Sequence, residues 1–126
     1  MEWSIDYLEG DGVVHVKTSG RMTWNENKQM SEEAISIGRT KGVHTFFIDH
    51  QDLDIELSIL EIDDLPSMYK SIGIGPKDKI AVLFNPYSPK GGLFTFLQNV
   101  SFIRSLQFRV FSDRDKAIAW LKSYKG

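Results

Sequence analysis

Two stretches of the chain carry residue types that could do chemistry: Asp49-His50 with the acids that follow it, and Ser88-Pro89-Lys90-Gly91-Gly92. In the second, glycines and a lysine precede a helix, so exposed amides, the helix dipole and a cation would together hold an anion or phosphate. It is not a Walker loop, which has its own glycine spacing and a hydroxyl after the lysine. In the first, Asp49, Asp52, Asp54 and Glu56 with His50 suggest a hard-cation site. The central glycine and distal bidentate acid of a calcium loop are missing, however, and the alternation of Asp52, Asp54 and Glu56 is that of one solvated face of an extended segment. His50 is the histidine placed for acid–base work, while His15 and His44 fall within strands; no nucleophile pairs with His50. No catalytic residue, metal ligand or cofactor is therefore assigned.

Composition narrows the classes further. At 126 residues the length is that of one domain with a real core. Hydrophobic content of 41% and charged content of 25% are ordinary for a globular protein. Fifteen basic and 17 acidic residues, net −2, are mixed along the chain and leave no nucleic-acid footprint, which needs clustered positive charge. Without cysteine there is no disulfide, thiolate or cysteine-bound metal. No apolar run reaches the length of a membrane span, and Met1-Glu2-Trp3-Ser4 is not a secretory signal, so a cytoplasmic location is expected.

The elements that must position these residues are legible in the hydrophobic periods. Trp3, Ile5 and Tyr7, then Val14, Val16 and Thr18, alternate with polar residues on either side of Glu9-Gly10-Asp11-Gly12, predicting an antiparallel hairpin. Thr23 and Glu26 have capping-box spacing for a helix to about Lys41, with Met30, Ala34 and Ile37 on one face. Val43–Asp49 is an apolar strand expected to end at Asp49-His50-Gln51-Asp52. Ser58 and Glu61 form a second capping box, flanked by Leu57 and Ile62 as a staple, and Pro66 should kink or split the helix they open. Ile80–Phe84 is a second wholly apolar strand, followed by a turn-rich loop and a helix from about Leu93 to Leu106. Phe108–Phe111 is the last strand, and Ser112 with Asp115 is expected to cap a final helix burying Ala117, Trp120, Leu121 and Tyr124.

The order β-β-α-β-α-β-α-β-α predicts an α/β fold, with a five-stranded, mostly parallel sheet whose first strand is antiparallel. This order, and the ending Phe108-Arg109-Val110-Phe111-Ser112-Asp113 followed by Ala117-x-x-Trp120-Leu121, resembles the SpoIIAA-like family of the STAS superfamily over nearly the whole chain. The resemblance implies the fold shared by anti-sigma-factor antagonists and, distantly, by CRAL-TRIO lipid-binding domains. It also implies a phosphorylatable serine where the third strand enters its helix, in an Asp-Ser-Ser/Thr-Gly motif. Here that stretch is Asp54-Ile55-Glu56-Leu57-Ser58-Ile59, without the glycine or the paired hydroxyls. Ser58 is left as the phosphorylation candidate, and its simpler reading is an N-cap.

In such sheets ligands bind beyond the carboxyl ends of the strands. That rim is expected to collect Arg21, Asp49, His50, Asn85, Tyr87, Lys90, Gly91, Gly92 and Ser112. On the third helix Leu93, Phe96, Leu97, Val100 and Ile103 define the expected buried face, with Phe102 opposite and Phe94 to one side. Phe94 and Phe102 are thus interface candidates. Three functions remain open. The first is a non-catalytic regulatory or scaffolding domain acting by protein contact, including self-association through the third helix. The second is a carrier of a small apolar or anionic ligand near Met68, Tyr69, Phe94 and Phe96, and the third an enzyme.

Overall fold

The computed structural model describes residues 1–123. Tyr124, expected in the core, lies outside the described residues. Strands β1 (Glu2–Leu8) and β2 (Val13–Met22) form the hairpin, and helix α1 (Trp24–Lys41) leads to β3 (Thr45–Ile55). Helix α2 (Ile59–Ser71), β4 (Lys79–Leu83), α3 (Gly91–Ile103), β5 (Gln107–Phe111) and α4 (Arg114–Lys122) complete the order. The sheet runs β1-β2-β3-β4-β5, with β1 antiparallel to β2 and every other neighbour parallel. The two apolar strands lie side by side, Phe46 beside Ile80 and Ile48 beside Val82.

Alternation along the strands builds two cores. Val14, Val16, Phe46, Ile48, Ile80 and Val82 face α1, α2 and α3, meeting Met30, Ala34, Leu65, Tyr69 and Leu97. Val13, Phe47, Ala81 and Leu83 face the other way and are covered by Ala117 and Leu121 of α4. Each Val, Leu, Ile, Met or Phe among them contributes roughly 1.5–3 kcal/mol on burial. Three helices cover one face and a single helix the other, so the α4 side of β1 and β2 keeps polar residues.

Local signals explain most boundaries. Ser58 caps α2 as expected: its hydroxyl accepts the Glu61 amide while the Glu61 side chain accepts the Ser58 amide. Gly42 ends α1 in the left-handed region at φ 69°, where a residue without Cβ costs least. Three expectations are corrected. Thr23 precedes α1 without a side-chain cap, because its hydroxyl donates to Glu26, whose carboxylate is drawn to the Met1 ammonium at 2.9 Å. Asp113, not Ser112, caps α4, accepting the amides of Asp115 and Lys116. Helix α2 is not split at Pro66, which lies buried within it.

Two buried charges tie the ends of elements together. The Asp78 side chain accepts both arms of the Arg39 guanidinium (2.9 and 2.8 Å), His44 Nδ1 (3.0 Å) and the Gly75 amide (2.8 Å), joining α1 to the start of β4. Burial alone would raise the Asp78 carboxyl; these donors outweigh it and hold it below the usual range. Lys79 donates to the Trp120 carbonyl and to the Ser123 carbonyl and hydroxyl, over the Trp120 ring.

Candidate functional site

β3 does not end at Asp49. It continues to Ile55 beside a lengthened β2, through a bulge in which His50 and Gln51 oppose the single residue Thr18. Beyond the bulge Asp52, Asp54 and Glu56 are exposed while Leu53, Ile55 and Leu57 are buried, the extended alternation their spacing suggested. The strand's pleat separates the two residues expected to act together at the rim. Asp49 turns to the α4 side, where it meets Lys17 Nζ at 3.2 Å and accepts the Gln51 amide. His50 turns to the helical side and is buried.

There its environment is closed. Thr18 Oγ1 donates to the Asp49 carbonyl at 3.0 Å and lies 2.6 Å from His50 Nδ1. The hydroxyl has one proton, already given, so His50 Nδ1 is the donor of the pair and Nε2 carries the lone pair. Burial pushes His50 down to about 3, against a weaker opposing pull from Asp49. His50 is thus a neutral core residue packed at 5.9 Å from Phe94, not the exposed acid–base group expected from its place after the strand.

His50 also lines a cavity of about 40 Å³ shared with Met22, Met30, Tyr69 and Phe94. That space admits about three waters. Its polar lining includes Asn27, which donates to the Tyr69 hydroxyl at 3.0 Å, with both side chains buried. Burial raises Tyr69 to about 12, against the hydrogen bond from Asn27. Of the expected carrier residues Tyr69 and Phe94 line the cavity; Met68 and Phe96 do not.

The expected anion loop is spent on internal contacts. Lys90 Nζ meets Asp54 at 2.8 Å and the Ile55 carbonyl at 2.8 Å; the Gly91 amide donates to the Ser88 carbonyl, and Gly91 is itself buried. The Asn85 side chain accepts the Tyr87 amide. Arg21 comes close to Lys90, but opposite Asp54 in the ladder and 3.5 Å from Glu56, so the two cations are answered by two acids. Gly92, Tyr87 and Ser112 are exposed. Among the described residues no group of His, Asp or Glu is arranged to hold a metal.

The exposed apolar residues lie elsewhere. Ile59 and Leu60, in the first turn of α2, are 60% and 78% exposed, and Ile59 shares a surface groove with Pro89, Leu93 and Phe96. On α3 Phe102 is 80% exposed, as its position opposite the core face suggested. Phe94, expected to join it at an interface, is 3% exposed and packs against His50 and Phe84. Ile103, expected to be buried, is 75% exposed. Both corrections have one cause: α3 is turned so that Gly91, Phe94, Leu97 and Ser101 face the sheet, which rotates Ile103 outward.

Sequence reasoning missed Thr18, Asn27 and the α2 ridge. Thr18 is a polar residue in register with Val14 and Val16, and Asn27 falls three residues before Met30 on a core face; each pattern marks a polar group that must find an interior partner. Ile59 and Leu60 directly follow the cap, where the first helical turn often stands clear of the core.

No family model matches the chain, and no curated protein matches it. Among solved structures, an anti-sigma factor antagonist from Mycobacterium paratuberculosis superposes with a TM-score of 0.62 at 17% identity, covering 97% of this chain and 96% of its own. A protein of the DUF3478 family with a SpoIIAA-like fold from Shewanella loihica PV-4 superposes with a TM-score of 0.59 at 20% identity, covering 95% of this chain and 92% of its own. At such identities the likeness lies in the fold. The strand–helix order and the Phe108–Leu121 ending that resemble the SpoIIAA-like STAS domains are carried by a SpoIIAA-like fold.

Proposed function

We propose that the chain is a single regulatory or scaffolding domain that acts without catalysis, through protein contact, and that it self-associates through α3. One observation carries this reading: α3 has no charged residue from Gly91 to Ile103, yet presents Phe102 and Ile103 to solvent, and α2 exposes Ile59 and Leu60 as well. Keeping large apolar side chains in water has no return unless a partner covers them. The sharing of a fold with an anti-sigma factor antagonist, a protein named for acting on another protein, supports the same reading. Because Arg21 and Lys90 are already paired and His50 is buried, the rim offers little to a substrate. Light scattering of wild type, Phe102→Asp and Ile103→Asp tests it: a dimer that becomes a monomer in either variant is expected, and a monomer in all three removes self-association through α3.

The cavity at His50 and Tyr69 favours a second reading, a carrier of a small apolar ligand. At about 40 Å³ it would have to widen several-fold, since ligand pockets run to roughly 300–1,000 Å³. Native mass spectrometry of protein taken directly from cells would show a co-purifying ligand; a persistently empty protein removes the carrier.

A further inference from the structure

The sheet ends in two edges of different chemistry. On the α4 side of the sheet β1 presents Glu2, Ser4 and Asp6, all exposed, as charged guards against pairing. β5 carries no acid, and Arg109 is its single charged residue. The Phe111 carbonyl accepts the Phe84 amide from the neighbouring strand, so the alternation of a parallel ladder turns the backbone groups of Phe108 and Val110 outward. The Val110 amide is taken by the Gln98 side chain at 2.7 Å. Phe108 is left with the open amide and carbonyl of the edge.

This edge is the floor of a groove of about 700 Å³. Phe102 of α3 stands along one wall and Trp120 of α4 along the other. Arg109 lies beside Trp120, its guanidinium 5.6 Å from that ring and 5.4 Å from the Phe111 ring, with no acidic partner among the described residues. A strand edge between two aromatic walls has the geometry for one more extended segment, whose side chains alternate between the walls.

We propose that the β5 edge binds an extended segment of a partner protein by strand addition, with apolar side chains toward Phe102 and an acidic side chain against Arg109. The unanswered guanidinium sets the charge of the occupant. It also disfavours a second copy joined β5 to β5, because Gln107–Phe111 brings no acid and would leave both Arg109 side chains unpaired. This surface is separate from the Ile59–Leu60 ridge and, although it shares Phe102 with the α3 face, does not need self-association.

The test is a titration of nitrogen-15-labelled protein with the end-blocked pentapeptide Val-Glu-Val-Glu-Val, followed through backbone amides. The Phe108 amide is expected to shift on binding, and its hydrogen exchange to slow about tenfold. Arg109→Glu, a change at an exposed position, should weaken this peptide about tenfold and make Val-Lys-Val-Lys-Val the better ligand. The proposal is overturned if the Phe108 amide does not respond, if wild type binds the two peptides equally, or if the shifts map to Ile59 and Phe96 instead. A monomer in the light-scattering experiment leaves these outcomes unaffected, so the two readings fail separately.

Discussion

Thr18 Oγ1 lies 2.6 Å from His50 Nδ1 across the one bulge in the β2–β3 ladder. The pair links a backbone irregularity to a titratable group: the strand's pleat turns His50 into the core and Asp49 out of it, and the extra residue at the bulge returns Leu53 and Ile55 to the same core face.

The first prediction follows from that burial. His50 has a folded value of about 3 and an unfolded value of about 6.5, so between them the unfolded chain binds the extra proton. The contribution is therefore complete above pH about 6.5 and falls by about 1.4 kcal/mol per pH unit below it. Urea unfolding from pH 4 to 7 should show a steeper loss for wild type than for His50→Gln. Parallel curves would mean that His50 is accessible to protons in the folded state.

Asp78 gives a second pH effect with its own window. Its carboxyl is held low, so its contribution is present above the ordinary value of about 3.9 and is lost as pH falls through the depressed one. Asp78→Ala removes the acceptor of Arg39, His44 and Gly75 and should cost about 3 kcal/mol at neutral pH, as breaking a buried ion pair does. Arg39→Ala in the same background should then add little; additive losses in the double-mutant cycle would contradict the coupling.

Gly38 tests the packing of α1 on β3. A Cβ there would fall 2.6 Å from Cζ and 2.9 Å from Cε1 of the buried Phe46 ring. Alanine gains up to about 1 kcal/mol in helix propensity, but overpacking costs about 1–3 kcal/mol. Gly38→Ala should thus be destabilising by about 1 kcal/mol in thermal unfolding. A stabilised variant would show that the ring has room to move.

Ser58 tests the phosphoswitch that the family resemblance implies. Its hydroxyl already holds the Glu61 amide, and Glu56 and Glu61 would oppose an added phosphate. Ser58→Ala should cost about 1 kcal/mol, and Ser58→Asp, which keeps an acceptor at the cap, should be milder. Equal losses would mean that repulsion from the neighbouring glutamates governs the site.

Much of the fold was legible because the strands Phe46–Ile48 and Ile80–Phe84 are apolar throughout and the Ser58 box is a local signal. The candidate site was less so, and for physical reasons. Alternation in Asp52–Leu57 marks extended chain but not whether another strand lies beside it, so β3 was expected to stop at Asp49 and His50 to reach solvent. Thr23 and Glu26 have the spacing of a capping box, yet the Met1 ammonium competes for the carboxylate from 25 residues away. On α3 every residue from Gly91 to Ile103 is uncharged, so hydrophobicity could not orient the helix, and Phe94 and Ile103 exchanged places.

Lys79 reaches across to the Trp120 and Ser123 carbonyls at the end of α4, the first of which also accepts the Ser123 amide and hydroxyl. The nine-residue segment Arg114–Lys122 is shorter than helices that persist alone, about 12–15 residues. It is a helix on loan from β4: excised as a peptide it should give a coil spectrum in circular dichroism, and Lys79→Met should loosen it while leaving the three helices on the opposite face in place.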